Sequence, residues 1–409
     1  MKQISFILTA IFGLFVWSCS NSTEDAPKTM TEPIPDSPIT YEFSPEQSRA
    51  AEASIPFMNK FWIEANAQMG EHNYVVSPVS ADVLLSMVAN TSTGKLGNEI
   101  TAALGCNDKT VLNEVASKYT VALPNVASDL DFGIYNAVWY TNQFVINRNF
   151  SERMEYFYDA DVFSHPFDDS LKDDVNGWCS EKTKGLIPEI LNSSPNGAVM
   201  LLADALYLKG AWANPFDVAK TTDEIFHGAS GDANVKMMHS EGLQHFAEGE
   251  TFKAIRMEIG KGTVEAVFIL PDENQDMQEF LNNNLEAINN ARFYDCNVDF
   301  SLPRFKFVSN QMYLNDILSN IGMPAILESD TSDVLSGCGH IEHGIYQRTS
   351  LEFNEQGAEG AAVTWDIMAV DPESGSSAVP TVNLNRPFFV MVRVVQTGAP
   401  IFAGRINNL

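Results

Sequence analysis

Apolar residues recur along this chain at two different periods, and the change from one to the other organises it. The early segments repeat at the helical period. Ser44-Pro45-Glu46-Gln47 opens the first of them as a capping box: Ser44 accepts from the backbone three residues on, Gln47 reaches back, and Pro45 suits a first turn whose amide has no intrahelical partner. Phe57, Phe61 and Trp62 then share one face. Ser77-Pro78 begins a second helix with Leu84, Leu85 and Val88 on its apolar side, and Gly105 stops a third. Segments 132–140, 264–270, 298–307, 388–395 and 401–406 alternate or run continuously apolar, which predicts strands. Helices concentrated early, strands concentrated late and no internal repeat predict an α+β fold.

Two stretches fall outside this pattern at the start. Lys2, an apolar run from Ile4 to Trp17 too short to span a bilayer, and Ser18-Cys19 read as an export signal over residues 1–19. Residues 20–43 read as a flexible acidic tether, because 20–40 hold Ser, Thr, Pro, Asp and Glu with no aromatic residue to bury. The remainder, 44–409, has no internal linker and is expected to form one domain.

Composition narrows the function. With 53 acidic against 25 basic side chains, a net charge of -28 and no Lys/Arg cluster, the chain is not expected to bind DNA, RNA or glycosaminoglycans. Apart from Cys19, the cysteines Cys106, Cys179, Cys296 and Cys338 are widely spaced and form no C-x-x-C unit, so buried free thiols are expected rather than a disulfide framework. No G-x-S-x-G elbow, H-E-x-x-H or phosphate-binding glycine loop occurs. Cys338-Gly339-His340-Ile341-Glu342-His343 is the one run with ligand-like side chains, and such short loop tracts read as polar surface. Neither cofactor, metal nor catalytic set is expected.

The most specific signal is Glu355-Gln356-Gly357-Ala358-Glu359-Gly360-Ala361-Ala362-Val363-Thr364. A segment that must slide as a new strand into an existing sheet needs small side chains to pass between packed neighbours, and a glycine such as Gly357 to serve as pivot. This run resembles the reactive-loop hinge of the serpins. Further blocks follow in the same family order. Asn73-Tyr74-Val75-Val76-Ser77-Pro78-Val79-Ser80 resembles its strand-to-helix junction, and Trp178, Thr183, Gly185 and Ile187 the helix across the main sheet. Tyr207-Leu208-Lys209-Gly210-Ala211-Trp212 with Pro215-Phe216 resembles the central strand and its turn. Leu302-Pro303-Arg304-Phe305, Ile321-Gly322-Met323 and Asn385-Arg386-Pro387-Phe388 resemble later landmarks.

The resemblance implies a serpin fold: a large central mixed sheet able to accept the reactive loop, about 355–384, as an inserted strand, with smaller sheets and about eight or nine helices. It implies a monomeric suicide-substrate inhibitor of serine proteases, with papain-like cysteine proteases as a further class and a non-inhibitory binding or surface protein as the alternative. The hinge is Glu355, Gly357, Ala358, Glu359, Gly360, Ala361, Ala362 and Thr364, with Ala358 exposed until insertion turns it inward. Ser77, Ser80, Asp204 and Gln347 correspond to the cluster that controls sheet opening, and Trp212 to the breach. Asp204 stands where most members carry Asn and Gln347 where many carry His, and the two are expected to hydrogen-bond each other. Asp366 would face inward after insertion, a costly position for a carboxylate.

The family's count from the hinge glutamate lands on Asp371, but Pro372 follows, and proline after the bond blocks most serine proteases. Val370-Asp371 is therefore the first candidate, then Ala369-Val370 and Met368-Ala369, which favours elastase-like or subtilisin-like targets. Val16-Trp17-Ser18-Cys19 resembles a bacterial lipobox, and Glu24-Asp25 a surface-export signal of Gram-negative lipoproteins. Those imply lipidation at Cys19 and a place on the outer membrane, with a cleaved secretory peptide and a periplasmic or secreted protein as the alternative.

Overall fold

Ser44 caps the Pro45–Met69 helix as a complete box: its Oγ accepts from Gln47 N at 3.2 Å, and Gln47 Oε1 accepts from Ser44 N at 3.0 Å. Phe57, Phe61 and Trp62 are buried along it. Ser77 caps the Pro78–Thr91 helix by accepting from Ser80 N at 3.1 Å. This helix is buried on every side, with only Asn90 keeping appreciable surface, because it packs against strands of both large sheets. The expectation of a single apolar face there was too narrow. The computed structural model describes residues 39–127, 130–195, 198–309, 312–358 and 379–409, all within one compact unit, Ile34–Leu409. The export signal, Cys19 and the tether as far as residue 38 lie outside the described residues.

The fold is α+β, with nine α-helices among the described residues and two large sheets. The nine-stranded sheet has at its centre Pro400–Ile406, Phe388–Val394, Val264–Pro271, Phe252–Ile259, Gly231–Glu248 and Tyr294–Pro303, in that order. Every residue of Val264–Pro271 and Pro400–Ile406 is buried, the charged Glu265 and Arg405 included. The six-stranded sheet runs Phe305–Val308, Ser350–Asn354, Gly357–Ala358, Met200–Ala211, Asp131–Thr141, Asp161–His165. The expected strand 298–307 is two strands in different sheets, divided at Arg304. Pro303 supplies no amide to continue a ladder, and the chain crosses over there.

The Ser170–Lys182 helix covers the six-stranded sheet through a second, small core of Trp139, Leu171, Val175, Trp178 and Cys179. Trp178 meets Trp139 edge to face at 5.4 Å, and its Nε1 donates to Asp161 Oδ2 at 2.9 Å. Of the free cysteines only Cys179 is buried; Cys106, Cys296 and Cys338 are half-buried, so the expectation of buried thiols holds at one position of four. Cys338 and His340 belong to a two-stranded hairpin, Asp330–Leu335 with Cys338–Ile341. Among the described residues no three metal-ligating side chains converge.

Candidate functional site

The Ser350–Asn354 strand is followed by a tight turn that returns the chain alongside it. Asn354 makes the turn by accepting on Oδ1 from Gln356 N at 2.9 Å. Gly357 then pairs with Asn354 on one side and Ala211 on the other, and Ala358 with Phe353 and Gly210. Gly357 is required here twice over. Its φ is +146°, and a Cβ at this position would lie 2.1 Å from the Gly210 carbonyl oxygen and 2.7 Å from Ala211 Cα. Ala358 is 2% exposed.

The first hinge residues thus already occupy the sheet, and the expectation of an exposed Ala358 before insertion is corrected. The Ala358 methyl group is buried on one face of the sheet, so a long or charged side chain at this position would have to be buried with it. Among the described residues, Ser350–Asn354 and Met200–Ala211 are joined only through this two-residue strand. Among the described residues, no other strand lies between the rest of the two facing edges.

Polar contacts fasten the turn. Glu355, 4% exposed, pairs with Arg304 and accepts from Thr221 Oγ1 at 2.7 Å, while its carbonyl accepts from Phe216 N at 2.9 Å. Burial works to raise its pKa, but Arg304 and Thr221 outweigh it and hold the carboxyl below the ordinary glutamate value. Trp212 is fully buried. Its ring stacks on Phe353 at 5.2 Å, its Nε1 donates to Asn354 O at 2.9 Å, and its backbone N donates to Gln356 O at 2.9 Å. Trp212 therefore stands where the two strands begin to part.

Further along the same gap, Ser77, Ser80, Asp204 and Gln347 do come together, but not as expected. Gln347 clasps the backbone of Ser77, accepting from its N at 2.8 Å and donating to its O at 2.9 Å. Both ends of the carboxamide are then occupied, and it makes no bond to Asp204. That expected pairing is corrected. Asp204 Oδ2 and Ser80 Oγ have no exposed surface, and each is the other's polar neighbour, with no further partner. Burial pushes the Asp204 carboxyl up to about 7, with the Ser80 hydroxyl opposing weakly.

One residue of this region escaped the sequence reading. Asp82 is 2% exposed inside the Pro78–Thr91 helix, with Oδ2 unpartnered, and burial pushes it up to about 7 against Ser54 and Ser86. The signal was available: an acid flanked by Val79, Ala81, Val83 and Leu84 has no polar helix face to occupy. The remaining hinge residues Glu359, Gly360, Ala361, Ala362 and Thr364, the bond candidates Met368, Ala369, Val370 and Asp371, and Asp366 lie outside the described residues.

Known proteins share this arrangement. The family model described as Serpin (serine protease inhibitor) matches residues 53–409, and the chain belongs to the serpin family. "Serine protease inhibitor 2" of Anopheles gambiae is 27% identical over 363 residues, covering 82% of this chain and 87% of that protein. The crystal structure of the thermophilic serpin tengpin in its native state is similar with a TM-score of 0.79 and 27% identity, covering 93% of this chain and 99% of tengpin. Thyroxine-binding globulin in complex with thyroxine shares the fold at 21% identity and a TM-score of 0.76, over 88% of this chain and 99% of that one. Relatives from Anopheles gambiae, Cyanea capillata and Mus musculus carry the name serine protease inhibitor.

Proposed function

We propose that the protein is a suicide-substrate inhibitor of serine proteases, of elastase-like or subtilisin-like specificity, with papain-like cysteine proteases as a second class. A target protease attacks Val370-Asp371 or one of the neighbouring bonds Ala369-Val370 and Met368-Ala369 and becomes acylated on the loop. The freed segment beyond Ala358 then enters the gap as a central strand and carries the protease with it before the acyl bond is hydrolysed.

The observation that carries this reading is the seated hinge. Gly357 and Ala358 already pair on both sides, so they set the register for every residue that follows. Residues 359–370, added to the two already seated, make a strand of about fourteen residues, roughly 45 Å long. Each ladder bond contributes about 0.5–1.5 kcal/mol net, and a central strand gains them on two edges. On this reading the inserted form is the more stable one, and the uncut form is held by a kinetic barrier.

The test is a stoichiometry titration against pancreatic elastase, subtilisin and papain, resolved on a denaturing gel. A band heavier than the intact chain that survives detergent is expected with at least one protease. Complete nicking by all three with no such band would make the protein a substrate and sink the proposal. We further propose residues 1–19 as a lipoprotein signal, 20–43 as tether and Cys19 as the lipidated residue, which places the 44–409 domain on the outer membrane. Cys19→Ala is then expected to move the protein from the membrane to the soluble fraction; unchanged partition into detergent contradicts the anchor.

A further inference from the structure

Next to the breach, on the nine-stranded sheet, lies a cavity of about 230 Å³ whose walls include Asn214, Leu243, His245, Arg256, Glu258 and Asp295. It plays no part in the loop mechanism. Asp295, His245 and Arg256 sit directly opposite one another on three adjacent strands, so their side chains form a row on one face. His245 Nδ1 pairs with Asp295 Oδ1 at 2.8 Å, while its Nε2 has Glu258 Oε1 at 4.0 Å, beyond hydrogen-bond reach.

The guanidinium at the end of the row is under-satisfied. Arg256 Nε has no exposed surface and no partner. Its Nη1 lies 3.6 Å from Glu265 Oε2, whereas Glu265 Oε1 is taken by Arg393 Nε at 2.7 Å. The plane of Arg256 rests over the Phe293 ring at 5.5 Å, which fixes its orientation. With Nε closed off, the terminal nitrogens of this fixed guanidinium are the part open to the cavity, and their fork matches a carboxylate.

A simple anion is nevertheless a poor occupant, because Glu258 and Asp295 face the same space and the chain carries a net charge of -28. Glu258 stands two residues along the strand from Arg256, on the same face and about 6.6 Å away. That spacing suits a carboxylate and an ammonium on one carbon, each reaching its own partner. Leu243 adds an apolar wall that is 66% exposed. The volume is below the roughly 300–1,000 Å³ of sites for drug-sized ligands, so the occupant is small.

We propose that this cavity binds a free α-amino acid with an apolar side chain, its carboxylate on Arg256, its ammonium on Glu258 and its side chain against Leu243. The site is wired to the breach: the Glu258 carbonyl accepts from Ala213 N at 2.9 Å, Ile259 bridges to Trp212, and Gly260 N donates to Ala211 O at 2.7 Å. Occupancy would thus stiffen the strand end that positions Trp212.

Isothermal titration of the full chain with leucine, N-acetyl-leucine and leucinamide tests the proposal, since the two analogues remove the ammonium and the carboxylate charge in turn. Leucine is expected to bind, with each analogue weaker by about tenfold or more. Arg256→Gln and Glu258→Gln, checked for unchanged circular dichroism, are expected to lose leucine to the same extent. No heat with leucine at millimolar concentration overturns the site. Analogues binding as tightly as leucine overturn the zwitterionic reading, and that comparison is made on the unaltered chain whatever the variants do.

Discussion

The two stretches of the gap between Met200–Ala211 and Ser350–Asn354 are finished very differently. At the breach, Glu355 is paired with Arg304 and Thr221, and Trp212 bonds the backbone of Asn354 and Gln356. Further along, the buried Asp204 carboxyl has only the Ser80 hydroxyl beside it, and the buried Asp82 carboxyl in the helix behind has only the Ser54 and Ser86 hydroxyls, with no cation among the described residues near either. Burial of a carboxyl with so few partners disfavours its charged form. On the proposed mechanism the contrast separates two jobs: the breach would hold the hinge in register, whereas the buried carboxyls would leave the middle of the sheet readier to rearrange.

The sharpest way to break this comparison is through pH: at pH 4.5 and above Glu355, held below the ordinary glutamate value, stays ionised while the two buried aspartates of the second region titrate. Asp82 and Asp204 are both raised from 3.8 to about 7. The folded chain therefore keeps protons that the unfolded chain releases. Their contribution to stability is fully present below about pH 4 and is lost as pH rises through about 7, by at most roughly 4 kcal/mol for each carboxyl. Urea unfolding of Asp82→Asn and Asp204→Asn, from pH 4.5 to 8, is expected to show a shallower decline than the unaltered chain. Parallel curves would remove the buried acids from the account.

A smaller effect is expected at the breach. Gly357→Val cannot seat, since its Cβ would meet the Gly210 carbonyl at 2.1 Å. The turn should leave the sheet and strip the Trp212 backbone amide and indole of their acceptors, costing about 3 kcal/mol in denaturant-induced unfolding. A loss under about 0.5 kcal/mol, typical of surface loops, would show that the hinge is not held.

The legibility of the two regions in the sequence differs for a physical reason. Caps at Ser44 and Ser77, the buried strand runs and the small residues of the hinge are local chemistry, and they could be read directly. Pairings made across the fold could not. Arg304 and Glu355 meet over 51 residues, and the tight fit at Gly357 depends on Gly210 in a strand far away. Gln347 was expected to seek Asp204 because both are polar, yet the Ser77 backbone offers a donor and an acceptor together. The row Asp295, His245, Arg256 exists only in strand register. Sequence order carried the fold, while partner choice within the gap needed coordinates.

The central claim is that the gap accepts the loop, and it is tested most directly by comparing the heat stability of the intact chain with that of the chain nicked once between Met368 and Asp371. If the freed segment inserts behind Gly357 and Ala358, the nicked protein is expected to melt at least about 15 °C higher than the intact one, because a full central strand is gained and no covalent constraint remains. A nicked protein that melts at the same temperature as the intact chain, or lower, would contradict strand insertion.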